Sequence, residues 1–363
     1  MNIKVGLICT RGLPARYGAY EQCVESLVSS ESTSGVVFFV PTVSRLMGER
    51  YNRDNVVRLG VPRRDGGVGS VLYGLASWLK CYFRGVRVFI FFGYSLSPFF
   101  WLFSLMGCKI ICNTDGIEWR RAKWSKFGQR FLKFCEFCAA QSGANLVFDS
   151  YGIKRYYNMK HKVDGELIFY GHDRELTDRS DGYEESLLEE FGLKRDHFYV
   201  VVMRMEPENN VSQIVDAALE YEKLPFPIVF IGPSTPFFEK VCMPLIESAS
   251  AERIIYLGPI YDRTKLGIIR RASAAYIHGH SVGGTNPTLI EACSFKNSIV
   301  AFNSIFNREI LGNDSQYFSD STSLHKVLLD SNFKRFTRDL GPEYTWQAVS
   351  SQYIRMIEKV TDE

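Results

Sequence analysis

The chain has 363 residues, of which 46% are hydrophobic and 23% charged, so it can form two globular domains and is not disordered, collagenous or coiled-coil. Its net charge of +3 conceals a strong asymmetry. Residues 1–170 carry 23 basic and 12 acidic side chains, whereas residues 171–363 carry 20 basic and 28 acidic ones. This asymmetry predicts an anionic partner for the first half alone.

The cysteines and the apolar runs bear on the compartment. The start of the chain shows no signal-peptide cleavage pattern, and the nine cysteines are odd in number and scattered. We therefore expect reduced thiols and a cytoplasmic protein. The longest apolar region, residues 86–112, is interrupted by Arg87, Pro98 and Lys109, so it predicts strands and a buried helix rather than a membrane span.

Short β-branched or aromatic runs alternate with helical patterns along the whole chain. The predicted strands are 3–9, 36–40, 56–59, 87–92, 109–113, 146–149, 198–203, 228–231, 254–257, 275–278 and 298–302. The clearest predicted helices are 20–29, 71–83, 211–221, 287–295 and 344–360. Near-continuous apolar strands that alternate with helices predict an α/β fold with two doubly wound, Rossmann-like parallel-sheet domains. We place these domains at 1–168 and 169–342, followed by a C-terminal helix at 343–363.

In parallel sheets of this kind, ligands bind beyond the carboxyl ends of the strands. The loop after strand 275–278 gives the strongest signal, because Gly283, Gly284 and Thr285 precede Asn286, which can cap a helix that begins at Pro287. Such a helix start favours a phosphate. An ordinary strand-to-helix turn is the alternative interpretation.

Three other loops carry candidate side chains. Arg204 lies just past strand 198–203, where it could bind a diphosphate or form a surface salt bridge. The loop 10–21 contains Gly12 and Gly18 but neither a dinucleotide fingerprint nor a P-loop, and the chain has no Asp-x-Asp metal motif. Asp115 follows strand 109–113, where it could deprotonate a hydroxyl or cap a helix, with Glu118 three residues on.

Residues 118–140 predict one basic, aromatic helix, with Phe127, Phe131, Phe134 and Cys138 in a single stripe. The stripe could pack on the protein's own sheet, or the helix could contact an anionic membrane. Nucleic acid is not expected, because no recognition motif accompanies the charge. The candidate membrane and acceptor residues are Arg120, Arg121, Lys123, Trp124 and Lys126.

Four segments together resemble the rhamnosyltransferase-type branch of the family-4 retaining glycosyltransferases. They are 10–21, 115–126, 204–210 and 279–292, which occur in the order typical of that family and span most of the chain. The resemblance implies the GT-B fold, with a cleft between the two domains and a C-terminal helix that packs back on the first. It also implies a nucleoside diphosphate sugar held mainly by the second domain.

The resemblance assigns roles residue by residue. Arg204 matches a diphosphate-binding arginine, but Asn209 stands where the family has lysine. Glu291 matches a ribose-binding carboxylate, whereas Gly283 replaces the glutamate that usually contacts the donor sugar. Gly12 and Gly18 match a glycine loop that closes over the diphosphate.

These roles predict sugar transfer, with dTDP-rhamnose as the favoured donor and a polyprenyl-diphosphate-linked saccharide as the acceptor. The catalytic candidates are Asp115, Arg204 and His280, with no metal and no cofactor. The enzyme would act in cell-surface polysaccharide synthesis as a cytoplasmic protein, peripheral on the inner face of the membrane. The alternatives are a sugar-nucleotide epimerase on the same fold and a catalytically degenerate, membrane-associated scaffold.

Overall fold

The structure is a computed structural model in which the chain divides into two compact units. The described residues are 2–13, 18–33, 35–41, 55–61, 66–172, 181–219, 222–249, 252–313 and 315–362. The first unit comprises Met1–Arg120, Trp124–Gly171 and Pro342–Glu363, and the second comprises Arg121–Lys123 and His172–Gly341.

The first unit is built on a seven-stranded parallel sheet in the order β3-β2-β1-β4-β5-β6-β7. Its strands are β1 (Ile3–Ile8), β2 (Val36–Pro41), β3 (Val56–Leu59), β4 (Val88–Phe92), β5 (Lys109–Asn113), β6 (Asn145–Phe148) and β7 (Glu166–Leu167). Its helices are α1 (Ala19–Ser29), α2 (Gly67–Tyr82), α3 (Phe100–Leu105), α4 (Lys126–Gln141), α5 (Tyr151–His161) and the C-terminal helix Trp346–Asp362.

Both faces of this sheet are covered, which explains why its central strand β4 is apolar and buried throughout. On one face, Ile90 of β4 packs in a core cluster with Val24 of α1 and Tyr353 of the C-terminal helix. Side chains alternate along a strand, so Phe91 points to the other face. There Phe91 meets Phe103 of α3, which stacks on Trp78 of α2 with ring centroids 3.9 Å apart.

The second unit has a six-stranded parallel sheet in the order β10-β9-β8-β11-β12-β13. Its strands are β8 (Tyr199–Val202), β9 (Ile228–Ile231), β10 (Ile254–Gly258), β11 (Ala275–His278), β12 (Ile299–Phe302) and β13 (Gln316–Phe318). Its helices are α6 (Asp181–Glu190), α7 (Val211–Leu219), α8 (Pro236–Val241), α9 (Met243–Ser248), α10 (Arg263–Ala272), α11 (Pro287–Ser294), α12 (Ile305–Leu311) and α13 (Ser321–Asp330). The predicted α/β class with two parallel sheets is confirmed.

The structure corrects the prediction of one helix over 118–140. Glu118–Arg120 form a separate 3-10 turn, and α4 begins only at Lys126. The hydroxyl of Ser125 caps this helix by accepting the N–H of Gly128 at 3.2 Å. None of the helices in the described part of the chain has both the length and the apolar composition needed to cross a membrane.

Candidate functional site

The central feature of the second unit is the edge where β8 and β11 end. These strands are neighbours and run parallel, with Ala275 opposite Tyr199. The loops that follow them, 203–210 and 279–286, therefore lie at the same edge of the sheet. These loops carry Arg204, Asn209 and His280, which the sequence places 76 positions apart at most.

Backbone and side-chain hydrogen bonds fasten the two loops together. Asn210 donates its side-chain N–H to the carbonyl of Gly279 at 2.8 Å. Ser281 donates both its N–H, at 3.1 Å, and its hydroxyl, at 2.7 Å, to the carbonyl of Glu208. A Cβ at Gly279 would collide with the carbonyl of Asn209, so only glycine permits this close approach.

The contacts of Asn209 fix the tautomer of His280. The amide N–H of Asn209 donates to the carbonyl of Arg204 at 2.7 Å, so its oxygen is the atom that faces Nδ1 of His280, also at 2.7 Å. Nδ1 must therefore carry the proton, which leaves Nε2 as an acceptor. Burial lowers the pKa of His280 well below its usual range, and the positive charges of Arg121 and Arg204 lower it further. His280 is thus a neutral imidazole.

A chain of hydrogen bonds links the end of β11 to the start of α11. His278 Nδ1 lies 3.3 Å from the hydroxyl of Tyr276, which donates to Thr288 at 3.0 Å. The Thr288 hydroxyl then donates to Asn286 Oδ1 at 2.8 Å. Burial lowers the pKa of His278 to about 3, with a contribution from the charge of Arg270.

Asn286 is the N-cap of α11, as the sequence predicts. Its Oδ1 accepts the N–H of Thr288 at 3.0 Å, and Pro287 occupies the first turn. The preceding Gly283, Gly284 and Thr285 are buried. Gly283 has φ 122°, a conformation that L side chains rarely adopt, so a carboxylate-bearing residue at that position would strain the backbone.

Glu291, on α11, forms an ion pair with Arg270 of α10. Arg270 is only 2% exposed, and its guanidinium carbon lies 5.9 Å from the ring centroid of Tyr276. Arg270 could not be predicted from the sequence, because a basic residue in the last turn of an amphipathic helix is ordinarily a surface residue. The described residues contain no cluster of three or more His, Cys, Asp or Glu side chains placed to hold a metal ion.

In the first unit, Asp115 follows β5 in a left-handed conformation, with φ 54°. Its N–H donates to Asn113 Oδ1 at 2.9 Å, while the amide of Asn113 donates to the hydroxyl of Tyr353 at 2.7 Å. The Glu118 carboxylate accepts the indole N–H of Trp124 at 3.0 Å, and the backbone N–H of Glu118 donates to the hydroxyl of Tyr94 at 3.1 Å.

The loop after β1 is held at both ends. Gly12, with φ 79°, donates its N–H to the hydroxyl of Thr10 at 3.1 Å, and Arg11 donates its N–H to Glu21 at 2.9 Å. Gly18, with φ 109°, is the N-cap of α1, which begins at Ala19. Residues 14–17 lie outside the described part of the chain.

The basic segment 118–126 is divided between the units. Arg120, Trp124 and Lys126 belong to the first unit, whereas Arg121 and Lys123 group with the second. The apolar stripe does not pack on the sheet: Phe127 is 79% exposed and Phe134 is 54% exposed, and only Cys138 of the predicted stripe is buried. The indole N–H of Trp119 donates to the buried Glu136 at 2.8 Å.

Comparison with solved structures shows which fold this is. Sucrose-phosphate synthase from Thermosynechococcus elongatus is 14% identical, with a TM-score of 0.76, and the match covers 99% of this chain and 100% of that one. HepE from Anabaena, in complex with UDP-glucose, is 14% identical with a TM-score of 0.71, and 99% of each chain is covered. WaaG, a glycosyltransferase involved in lipopolysaccharide biosynthesis, is 12% identical with a TM-score of 0.69, and again 99% of each chain is covered.

The fold is GT-B. These identities are low, so the likeness establishes the architecture and leaves the activity to be argued from the site. Residues 2–173 match a family model described as a domain of unknown function, DUF1972. A comparison with curated protein sequences gives no match.

Proposed function

We propose that this protein is a retaining glycosyltransferase that moves a sugar from a nucleoside diphosphate to a membrane lipid-linked saccharide. One observation carries the proposal: Arg204, His280 and the N-terminus of α11 converge on one edge of the second sheet. A cation, a neutral hydrogen-bond acceptor and the positive end of a helix dipole suit a ligand that joins a diphosphate to a sugar. The GT-B neighbour HepE is described in complex with UDP-glucose, which has this chemistry.

In the proposed reaction, departure of the nucleoside diphosphate leaves negative charge on its phosphates. Arg204 and the N–H groups of Gly284, Thr285 and Asn286 stabilise that charge. The dipole of α11, whose positive end lies directly after Asn286, adds to this stabilisation. No metal takes part in this step as we propose it.

His280 and Glu291 hold the two sugars of the donor. Nε2 of His280 can only accept, so its ligand is a hydroxyl of the transferred sugar rather than a phosphate oxygen. Glu291 binds the ribose with the carboxylate oxygen that Arg270 leaves available. Asn209 takes the place of a phosphate-binding lysine, and its role here is to hold the His280 ring.

The first unit supplies the acceptor side. Asp115 orients or deprotonates the acceptor hydroxyl, unless the departing phosphate is itself the base, a route open to a retaining enzyme. Gly12 and Gly18 form the glycine loop that contacts the diphosphate. Rhamnose from dTDP-rhamnose is the favoured donor sugar, because the segment Gly283–Pro287 resembles that of the rhamnosyltransferase-type branch.

We also propose that α4 binds the inner face of the cytoplasmic membrane. Its outward face carries four exposed phenylalanines interleaved with three exposed basic residues, namely Phe127, Phe131, Phe134, Phe137, Lys126, Arg130 and Lys133. Aromatic rings that enter the headgroup layer beside cations suit an anionic lipid surface. Arg120 and Trp124 precede this helix in the chain, and the lipid-linked acceptor would bind beside them.

A transfer assay with several nucleotide sugars, with and without lipid-linked saccharides, tests this function. Sugar transfer only when both substrates are present supports it. Conversion of the donor sugar without any acceptor would instead indicate an epimerase. Donor binding without turnover over the whole acceptor panel would indicate the scaffold.

A further inference from the structure

Glu208 is a buried carboxylate without a donor. It is 6% exposed, and neither of its carboxylate oxygens has a hydrogen-bond partner among the described residues. Burial of an unpaired carboxylate is unfavourable. Other buried glutamates of this chain are satisfied: Glu136 accepts from four side chains, and Glu184 accepts from Arg195 and Arg271. Unlike these two glutamates, Glu208 has no hydrogen-bond donor from the described part of the protein, which suggests that a ligand supplies one.

The backbone of Glu208 is held firmly beside the donor site. It lies in the 3-10 turn Pro207–Asn209, and its carbonyl accepts both hydrogen bonds from Ser281. Its chain neighbour Asn209 holds His280. The carboxylate thus belongs to the same pair of fastened loops as the proposed donor contacts.

The chemistry of a carboxylate restricts what it can bind there. It repels a diphosphate, so the phosphates are not its ligand. It accepts strongly from hydroxyl groups, and charged acceptors form the stronger hydrogen bonds. The facing loop offers no carboxylate of its own, since the residues from 279 to 286 include neither Asp nor Glu.

We propose that Glu208 is a specificity residue that accepts hydrogen bonds from hydroxyls of the transferred sugar. This inference rests on the proposed function and adds a side chain that recognises the transferred sugar. Nε2 of His280, a neutral acceptor on the adjacent loop, would accept a hydrogen bond from a second hydroxyl of that sugar. The enzyme would then select its donor by hydroxyl positions rather than by charge.

Calorimetric titration with a nucleoside diphosphate and with the matching nucleotide sugar tests the proposal. For Glu208→Gln we expect nucleotide-sugar binding to weaken roughly 10- to 100-fold, with nucleoside diphosphate binding changed less than about twofold. Glu206→Gln, two residues away, is the matched control and should leave both unchanged. A donor that lacks the contacted hydroxyl should bind wild type and Glu208→Gln equally.

Thermal unfolding separates a ligand contact from a structural role. Removal of an unpaired buried charge should leave the melting temperature of Glu208→Gln unchanged or raise it. A lowered melting temperature with an unchanged ratio of the two affinities would overturn the proposal, and so would equal losses for both ligands. If the wild-type protein binds no nucleotide sugar, the proposed function fails together with this proposal. If the wild-type protein binds it and Glu208→Gln binds it equally well, only the proposed role of Glu208 is refuted.

Discussion

The hydrogen bond between Asn209 Oδ1 and His280 Nδ1, 2.7 Å long, sets the chemical state of the histidine in the candidate donor site. Because the amide N–H of Asn209 is engaged by the carbonyl of Arg204, the imidazole must donate through Nδ1. Burial and nearby positive charge keep the ring neutral. Asn209 thus acts on the candidate site through the side chain of His280.

We predict that Asn209→Asp converts His280 into a titrating group. The carboxylate would stabilise the imidazolium and raise the pKa of His280, because opposite charges at hydrogen-bond distance favour the charged form. In wild type, the ¹⁵N spectrum of the ring should show an Nδ1-protonated neutral imidazole that does not change between about pH 7 and 5. In Asn209→Asp, a titration should appear within that range. A titrating His280 in wild type would contradict the assigned tautomer and charge.

We predict that His278 makes the protein less stable in mild acid. The pKa of His278 is about 3 in the folded protein, against an ordinary value of 6.5 for an exposed histidine. As the pH falls below 6.5, the unfolded chain therefore binds a proton at this residue that the folded protein does not. The free energy of unfolding should then decrease by up to about 1.4 kcal/mol per pH unit from this residue. Urea unfolding at several pH values should show a shallower dependence in His278→Asn than in wild type. The exposed His197, changed to Asn, should leave the dependence as it is.

We predict that Glu291→Gln destabilises the second unit by about 3 kcal/mol, because it leaves the buried charge of Arg270 without its carboxylate. Urea unfolding measures this loss. The double variant Arg270→Met/Glu291→Met should recover most of the stability, since both charges are then gone. If Glu291 binds the ribose, the double variant will still bind nucleoside diphosphate poorly. Full recovery of nucleotide affinity would remove Glu291 from the donor site.

We predict that α4 docks on anionic vesicles through its phenylalanines. Changing Phe127, Phe131 and Phe134 together to Ser should reduce sedimentation with phosphatidylglycerol vesicles at least about tenfold, because the apolar insertion is lost. Changing Lys126 and Arg130 to Gln should weaken binding by about 1 kcal/mol per charge at low salt. Ile305→Ser, at an exposed apolar position of the second unit, is the control. Unchanged vesicle binding in both α4 variants would refute the docking surface.

The parallel sheets could be predicted from the sequence because buried parallel strands are apolar on both faces. Strands such as Val56–Leu59 and Lys109–Asn113 have the predicted bounds. The short strands β7 and β13 were not predicted, because two or three residues show no recognisable alternation. The prediction of a helix over 118–140 was wrong at its start, since Ser125 caps α4 and the helix begins only at Lys126.

Residues of the candidate site could be proposed from the sequence where a local pattern marks them. Arg204 and His280 were proposed because each follows a predicted strand, and Asn286 because it can cap a helix; the N-cap at Asn286 is confirmed. Arg270 and the isolation of Glu208 were not predictable, because both depend on tertiary contacts that a local pattern does not contain. The exposure of Phe127 and Phe134 was undecided for the same reason: an apolar stripe fixes a helix face but not what covers it.

Turnover of Arg204→Ala is the most direct test of the account. The measurement is the rate of sugar transfer from the best nucleotide sugar to a lipid-linked saccharide, with Arg355→Ala, an exposed arginine on the C-terminal helix, as control. We predict that loss of the diphosphate contact lowers kcat/KM at least about 100-fold in Arg204→Ala and leaves Arg355→Ala at the wild-type value. A near wild-type rate in Arg204→Ala would contradict the placement of the donor diphosphate at the ends of β8 and β11.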